Sequence, residues 1–154
     1  MFTPSARPPR DRGFTLVELM IVLAVLAILV GVAWPSYQSA VQKGRRADAM
    51  AALAQLMQAQ ERWRSEHASY QATLSSLPGT GSTSPEGHYT LTLVDDSVTA
   101  TGYTARATAK SSSPQTHDSV CRVMQVAVSG GSITYSSLTA SNTTNSAPDP
   151  CWVK

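Results

Sequence analysis

The sequence is poor in charged residues and has no long internal repeat. Charged types make up only 14% of 154 residues, about half the usual share, so polarity must come mainly from Ser, Thr, Gln and Asn. This scarcity excludes a coiled coil and an acidic disordered tail. Nine Gly and nine Pro exclude a collagen-like chain, and the lack of a period of about 20 to 50 residues excludes a solenoid or a propeller. The length suits one compact domain with attachments.

Residue patterns typical of catalysis or metal binding are also lacking. His67, His88 and His117 are scattered along the chain, which contains neither an HExxH motif nor a phosphate-binding loop. Neighbouring residues such as His117, Asp118 and Ser119 cannot form a catalytic triad merely by adjacency. The two cysteines have no histidine nearby at ligand spacing. We therefore expect no enzymatic activity, metal, cofactor or small-molecule substrate.

The net charge of +2 comes from the first 13 residues, where Arg7, Arg10 and Arg12 outnumber Asp11. From Phe14 onward nine basic residues balance nine acidic ones. A chain that is neutral over this length has no strong electrostatic reason to bind nucleic acid. DNA binding is thus the least favoured partner interaction.

An uninterrupted apolar run fills residues 14–35 and reads FTLVELMIVLAVLAILVGVAWP, with Glu18 as its only charge. Its 21 residues before the proline would span about 30 Å as a helix, the thickness of the hydrocarbon core of a bilayer. The positive-inside rule keeps the Arg-rich segment in the cytoplasm and places the rest of the chain on the outer side. Cys121 and Cys151 would then lie in an oxidising compartment that favours their pairing.

Three interpretations of this N-terminal segment compete. A secretory signal peptide would use Gly31 and Ala33 as a small-x-small cleavage site before Trp34. A permanent single-pass anchor is the second interpretation. The run is longer than the usual signal-peptide core of about 7 to 15 residues, and it contains Glu18. A carboxylate costs roughly 2.5 to 3.5 kcal/mol at mid-bilayer, so Glu18 calls for a partner or a function, although its position near the end of the run lowers the cost.

The third interpretation accounts for the basic leader, the helix and Glu18 together. Residues RGFTLVELMIVLAVLAILVGVAWPSYQ closely resemble the N-terminus of type IV prepilins, in which a short basic leader ends in Gly before an aromatic, Thr, Leu, an aliphatic residue and Glu. Those positions are Gly13, Phe14, Thr15, Leu16, Val17 and Glu18. The segment GRRADA at residues 44–49 and the late cysteine pair extend the resemblance towards PilE-type minor pilins.

The resemblance implies cleavage between Gly13 and Phe14 by a prepilin peptidase, N-methylation of Phe14 by the same enzyme, and assembly with other pilin subunits into a helical filament. The new amine of Phe14 would be mostly cationic at neutral pH. Glu18 would supply the opposite charge at the same membrane depth, where low dielectric strengthens the attraction. By resemblance Glu18 registers an incoming subunit against its neighbour. The residues alone leave open whether it pairs within its own chain or snorkels to the headgroups.

Pro35 changes the helix pattern. It lacks an N–H and clashes with the carbonyl of Gly31, so we expect a kink or a loosened turn between these residues. Beyond it the pattern becomes amphipathic and predicts a helix continuing to about Ser65. Its apolar stripe, expected to pack on a sheet, consists of Val41, Ala49, Met50, Leu53, Leu56, Met57 and Trp63.

A basic cluster, Lys43, Arg45 and Arg46, follows the apolar run. The favoured interpretation is a solvated face near lipid headgroups. A salt bridge between subunits comes second, and a DNA contact last.

A loop rich in Ser, Gly and Pro is predicted at residues 67–87. Four segments after it have residue patterns typical of β-strands, at residues 88–95, 102–110, 121–129 and 132–138. Gly130 and Gly131 predict a tight hairpin between the last two strands. Short connections favour an antiparallel meander. The predicted fold class is therefore α+β, a long N-terminal helix on an antiparallel sheet of about four strands, which is also the type IV pilin fold.

The polar tail from Thr139 to Lys154 has two prolines and little to hold it. A bridge from Cys121 to Cys151 would tie it to the third strand, as in many pilins. The predicted organisation is a leader at 1–13, a transmembrane and assembly helix at 14–35, an amphipathic helix at 36–66, and a loop, sheet and disulfide-closed end at 67–154.

These features together predict a minor subunit of a bacterial type IV pilus that supports pilus biogenesis, twitching motility and adhesion. Before assembly it would be a single-pass inner-membrane protein with a periplasmic C-terminal domain, in contact with lipid and the pilus assembly machinery. After assembly it would be extracellular. A type II secretion pseudopilin and a non-assembling, membrane-anchored binding protein are the alternatives.

Overall fold

A computed structural model describes residues 13–152. Helix α1 spans Leu16–Glu66 and contains Pro35 within its length. Four strands follow, β1 at Tyr89–Leu93, β2 at Gly102–Ala109, β3 at Val123–Ser129 and β4 at Ser132–Leu138. Short 3-10 turns occur at Leu74–Ser76 and Pro114–His117. This order confirms the predicted α+β fold and the predicted end of the helix. The kink between Gly31 and Pro35 stays a prediction.

The chain divides into two units that meet between Gln38 and Ser39. The described part of the first unit is the N-terminal part of α1, whose large apolar side chains are exposed from Phe14 to Tyr37. An 18-residue window in α1 has a mean hydropathy of 2.9 and no buried residue. By length and composition this helix can cross a membrane.

The second unit contains a four-stranded antiparallel sheet in the order β1–β2–β3–β4. On β2 the side chains of Tyr103, Ala105, Ala107 and Ala109 are buried, which confirms the predicted alternation. The hairpin between β3 and β4 turns at Gly130 and Gly131, whose φ angles of 56° and 83° suit glycine. The meander is therefore the one that the short connections predicted.

The core lies between the sheet and the second half of α1. The buried helix residues Ala49, Ala52, Leu53 and Leu56 pack there, with Met50 and Met57 partly buried at the margin. Trp63 was predicted to lie in this core but does not: its ring stacks on His67 with centroids 3.7 Å apart. Trp63 is half-buried and lies in the last turn of α1.

The C-terminal tail is held by a disulfide and by hydrogen bonds. Cys121 and Cys151 are bridged, as predicted. Ser137 donates its hydroxyl to Asp149, and Trp152 donates its indole N–H to the carbonyl of Ser136 at 2.7 Å. The expectation that the tail has little else to hold it was therefore incomplete, because it overlooked these polar contacts to β4.

Candidate functional site

The first candidate site is the start of α1. Thr15 accepts a hydrogen bond through Oγ1 from the backbone N–H of Glu18 at 3.2 Å, and its carbonyl accepts from the N–H of Leu19. Thr15 thus caps the helix, and Glu18 occupies the third helical position, where a carboxylate also interacts favourably with the helix dipole. The spacing Thr-x-x-Glu is that of a capping box, a local signal that the prediction of this helix did not use.

The Glu18 carboxylate has no cationic partner within residues 13–152. The residue is exposed, as are the flanking apolar side chains Phe14, Val17 and Ile21. A carboxylate surrounded by apolar surface at a helix start offers a binding position for a cation brought by another chain or by the chain's own amine. Gly13 and Phe14, between which cleavage is predicted, lie five and four residues before Glu18 in the sequence.

A second polar site joins α1 to the loop before β1. The Asp48 carboxylate is 5% exposed and accepts hydrogen bonds from the hydroxyl of Ser84 and from the backbone N–H groups of Glu86 and His88. Three donors satisfy a buried charge without a cation. Asp48 therefore fixes the loop end against the helix and positions the first strand.

A third polar site joins α1 to the turn before β3. The guanidinium Nε of Arg46 lies 2.8 Å from Asp118, and their side chains are 13% and 2% exposed. Asp118 also accepts from the side chain of Gln115 and from the backbone N–H of Cys121. Arg46, which was predicted to lie in a solvated or inter-subunit cluster, is thus paired inside its own chain. This corrects that interpretation, since periodicity could not identify a partner 72 residues away.

Two tyrosines lie in the core with their hydroxyls buried. Among residues 13–152, neither the Tyr89 hydroxyl nor the Tyr103 hydroxyl has a hydrogen-bond partner. Burial raises the pKa of Tyr89 from 10.0 to about 12, because the phenolate would lose its hydration, and it raises the pKa of Tyr103 as well. Both rings belong to the hydrophobic core, so both act as packing residues in the folded chain.

Four further basic residues lie towards one end of the second unit. Lys43 is exposed, and Arg45, Lys110 and Arg122 are half-buried. The carboxylates of Asp48 and Asp118, at the same end, are buried and already bonded. No group of three or more residues suited to metal binding occurs in the described part of the chain.

Comparison with known families finds two matches. Residues 35–125, more than half of the chain, match the family model described as type IV minor pilin ComP, DNA uptake sequence receptor. Residues 8–34 match the prokaryotic N-terminal methylation motif. The two matches are contiguous and meet at Pro35.

Individual relatives are similar over shorter stretches. The chain is 40% identical over 62 residues to the type IV major pilin protein PilA of Myxococcus xanthus, a stretch that covers 40% of this chain and 28% of that protein. It is 46% identical over 39 residues to the fimbrial protein EcpC of Eikenella corrodens, covering 25% and 26%. It is 44% identical over 39 residues to prepilin peptidase-dependent protein D of Escherichia coli, covering 25% and 27%. The matched stretches thus span about a quarter of each relative.

Proposed function

We propose, from the premise that this chain belongs to the type IV minor pilin family, that it is cut between Gly13 and Phe14, methylated on Phe14 and built into a type IV pilus through α1. Members of this family are structural subunits rather than enzymes. The apolar N-terminal helix fits membrane anchoring and a pilus. The cut position, the role of Glu18 and the orientation are the proposal.

The observation that carries the proposal is an exposed apolar helix containing one carboxylate that has no cationic partner among residues 13–152. The large apolar side chains from Phe14 to Tyr37 lie outside the core of the described chain. Such a surface is stable only against lipid or against similar helices. Lipid covers it before assembly, and sister helices cover it in the filament.

The electrostatic step follows from cleavage. Hydrolysis between Gly13 and Phe14 leaves an α-amino group that is mostly protonated at neutral pH, and methylation retains its charge. In apolar surroundings an unpaired ammonium group and an unpaired carboxylate each carry a desolvation penalty, and an ion pair between them offsets part of it. The amine of one subunit therefore pairs with Glu18 of a neighbour, which fixes the axial register.

Replacing Glu18 tests this step. Glu18→Ala keeps the apolar helix and the processing site, so the variant is inserted and cleaved but incorporates poorly into sheared surface filaments. The measurement is the ratio of filament to membrane protein by immunoblot. Glu86→Ala is the matched control, because it removes an exposed carboxylate of the second unit. Incorporation of the Glu18 variant at the level of the control would contradict the pairing role.

Within this family role we propose that the subunit helps to initiate or link the filament and so supports twitching motility and adhesion. The alternative assembly is a type II secretion pseudopilus. The disulfide-closed end favours the pilus. Deletion of the gene should lower surface piliation and leave secretion of exoproteins unchanged. Loss of secretion with normal piliation would favour the pseudopilin.

A second candidate function is reception of DNA, because the matched family model carries that description. From Ser39 to Trp152 eight basic side chains meet eight acidic ones, so any DNA binding must use a local surface rather than net charge. Electrophoretic mobility shifts of duplex DNA over a salt series test it. If competitor DNA of unrelated sequence displaces the probe as well as competitor of the same sequence does, the result would count against a sequence-specific receptor.

A further inference from the structure

We propose that the basic end of the second unit, defined as Lys43, Arg45, Lys110 and Arg122, docks on anionic phospholipid headgroups while the subunit is held in the membrane. The proposal rests on the membrane-anchored stage of the proposed function. This surface takes part neither in the proposed pairing of subunits through Glu18 nor in the buried contacts of Asp48 and Asp118.

Backbone contacts place Arg45, Lys110 and Arg122 near one another. The N–H of Ala109 donates to the carbonyl of Arg122 at 3.0 Å, which places Lys110 beside the start of β3. The N–H of Lys110 donates to the carbonyl of His88 at 3.0 Å. His88 in turn donates its N–H to Asp48 on α1, within one turn of Arg45. These three residues therefore lie at the same end of the sheet, and Lys43 precedes Arg45 by two residues on α1.

Within residues 13–152 this surface carries more positive than negative charge. Arg46 is neutralised by Asp118, and the charge of Asp48 is satisfied by buried donors. Glu86, whose side chain is 68% exposed and 4.0 Å from the ring of His88, is the exposed carboxylate nearby. Among the described residues, four cations thus accompany one exposed carboxylate at this end. At the other end of the sheet, the turn after β1 exposes two carboxylates, Asp95 and Asp96.

The short stretch of chain between the apolar run and Lys43 indicates that this surface meets lipid headgroups. Lys43 follows Pro35, the last residue of the apolar run, by eight residues. Even a fully extended chain of that length reaches only about 28 Å, so an inserted helix keeps Lys43 close to the bilayer in any orientation. Tethering makes the local headgroup concentration high. Each cation near an anionic surface then favours contact by roughly fivefold.

The two lysines of the described chain, Lys43 and Lys110, both belong to the basic end, so amine labelling reports on it directly. The full chain is inserted into nanodiscs of phosphatidylcholine alone or of phosphatidylcholine with phosphatidylglycerol. A sulfonated, membrane-impermeant amine reagent is added, and labelling rates at each lysine are read by mass spectrometry. We expect both lysines to label at least about fivefold more slowly with phosphatidylglycerol, and salt at about 1 M to abolish the difference.

Matched variants separate the surface from general charge. Arg45→Gln with Arg122→Gln should reduce the protection of both lysines, whereas Arg62→Gln with Arg64→Gln, which removes the same charge elsewhere on the unit, should not. Equal labelling in the two lipids would overturn the proposal. Protection by added duplex DNA but not by phosphatidylglycerol would overturn it in favour of nucleic acid.

The same experiment distinguishes a chain that is not anchored in the membrane from an anchored chain that lacks the headgroup contact. A chain that does not co-elute with either kind of nanodisc is not membrane-anchored, and the proposed function and the lipid surface fall together. A chain that co-elutes with both, but whose lysines react alike, retains its anchor and lacks only the headgroup contact.

Discussion

Loss of the Cys121–Cys151 bridge should destabilise the second unit more than any single surface change. The cysteines are 30 residues apart in sequence, and in the chain-entropy model a loop of that size contributes roughly 3.5 to 4 kcal/mol. This is a large share of the roughly 5 to 15 kcal/mol typical of a domain. The value is an upper bound where the reduced, unfolded chain retains structure.

Cys151→Ser tests this estimate. The hydrogen bonds of Trp152 and Asp149 to β4 persist in the folded variant, so the effect should fall mainly on the global free energy of unfolding. Urea unfolding of the full chain in detergent, followed by near-ultraviolet circular dichroism, measures it. The double variant Cys121→Ser with Cys151→Ser controls for a reactive free thiol. A loss below about 1 kcal/mol, which is far under the chain-entropy value, would refute the reasoning.

Three further changes probe the buried polar groups. Asp118→Ala leaves Arg46 without its buried partner and should cost about 3 kcal/mol in urea unfolding, whereas an unchanged midpoint would show that the pair contributes nothing. Asp48→Asn replaces one accepting oxygen by an NH2 group that faces other donors, so the loop before β1 should be cleaved faster in limited proteolysis. Ser84→Ala, which removes only one donor, should have a smaller effect. Stability should fall as pH rises from 10 towards 12, because Tyr89, whose folded pKa is raised to about 12, loses its proton more easily when unfolded. Tyr89→Phe should reduce that loss, and an equal loss in both proteins would contradict it.

Much of the fold could be predicted from the sequence because its signals are local. The alternation along Tyr103, Ala105 and Ala107 identifies a half-buried strand, and adjacent glycines identify the hairpin turn. Four strands joined by short connections leave few arrangements other than a meander. The observed strands begin and end within two residues of the predicted segments.

The buried polar contacts of Asp48 and Asp118 could not be predicted because they join residues far apart in sequence. Asp118 is 72 residues from Arg46, and Glu86 is 38 from Asp48. Local periodicity tells which face a residue occupies, not which residue it meets. One signal was available: Asp48 lies four residues before Ala52 and so falls on the buried face of α1. A carboxylate at such a position requires donors from elsewhere in the chain.

The candidate assembly site was predicted in outline for a different reason. A single charge within a membrane-length apolar run stands out by composition alone, so the sequence suffices to identify Glu18. The hydrogen bond from its backbone N–H to Thr15 could have been anticipated from the capping-box spacing. The partner that we propose for Glu18, the amine of a neighbouring subunit, belongs to another chain, which a single sequence does not specify.

The central claim is that Glu18 meets a positive chain end created by processing. Mass spectrometry of the protein recovered from sheared surface fibres tests it most directly, since it reports the first residue, its methylation and the thiol state together. The account predicts a chain that begins with N-methylated Phe14 and retains the Cys121–Cys151 bridge. A chain that begins at Met1 or at Trp34 would contradict it, because no amine would then lie four residues before Glu18.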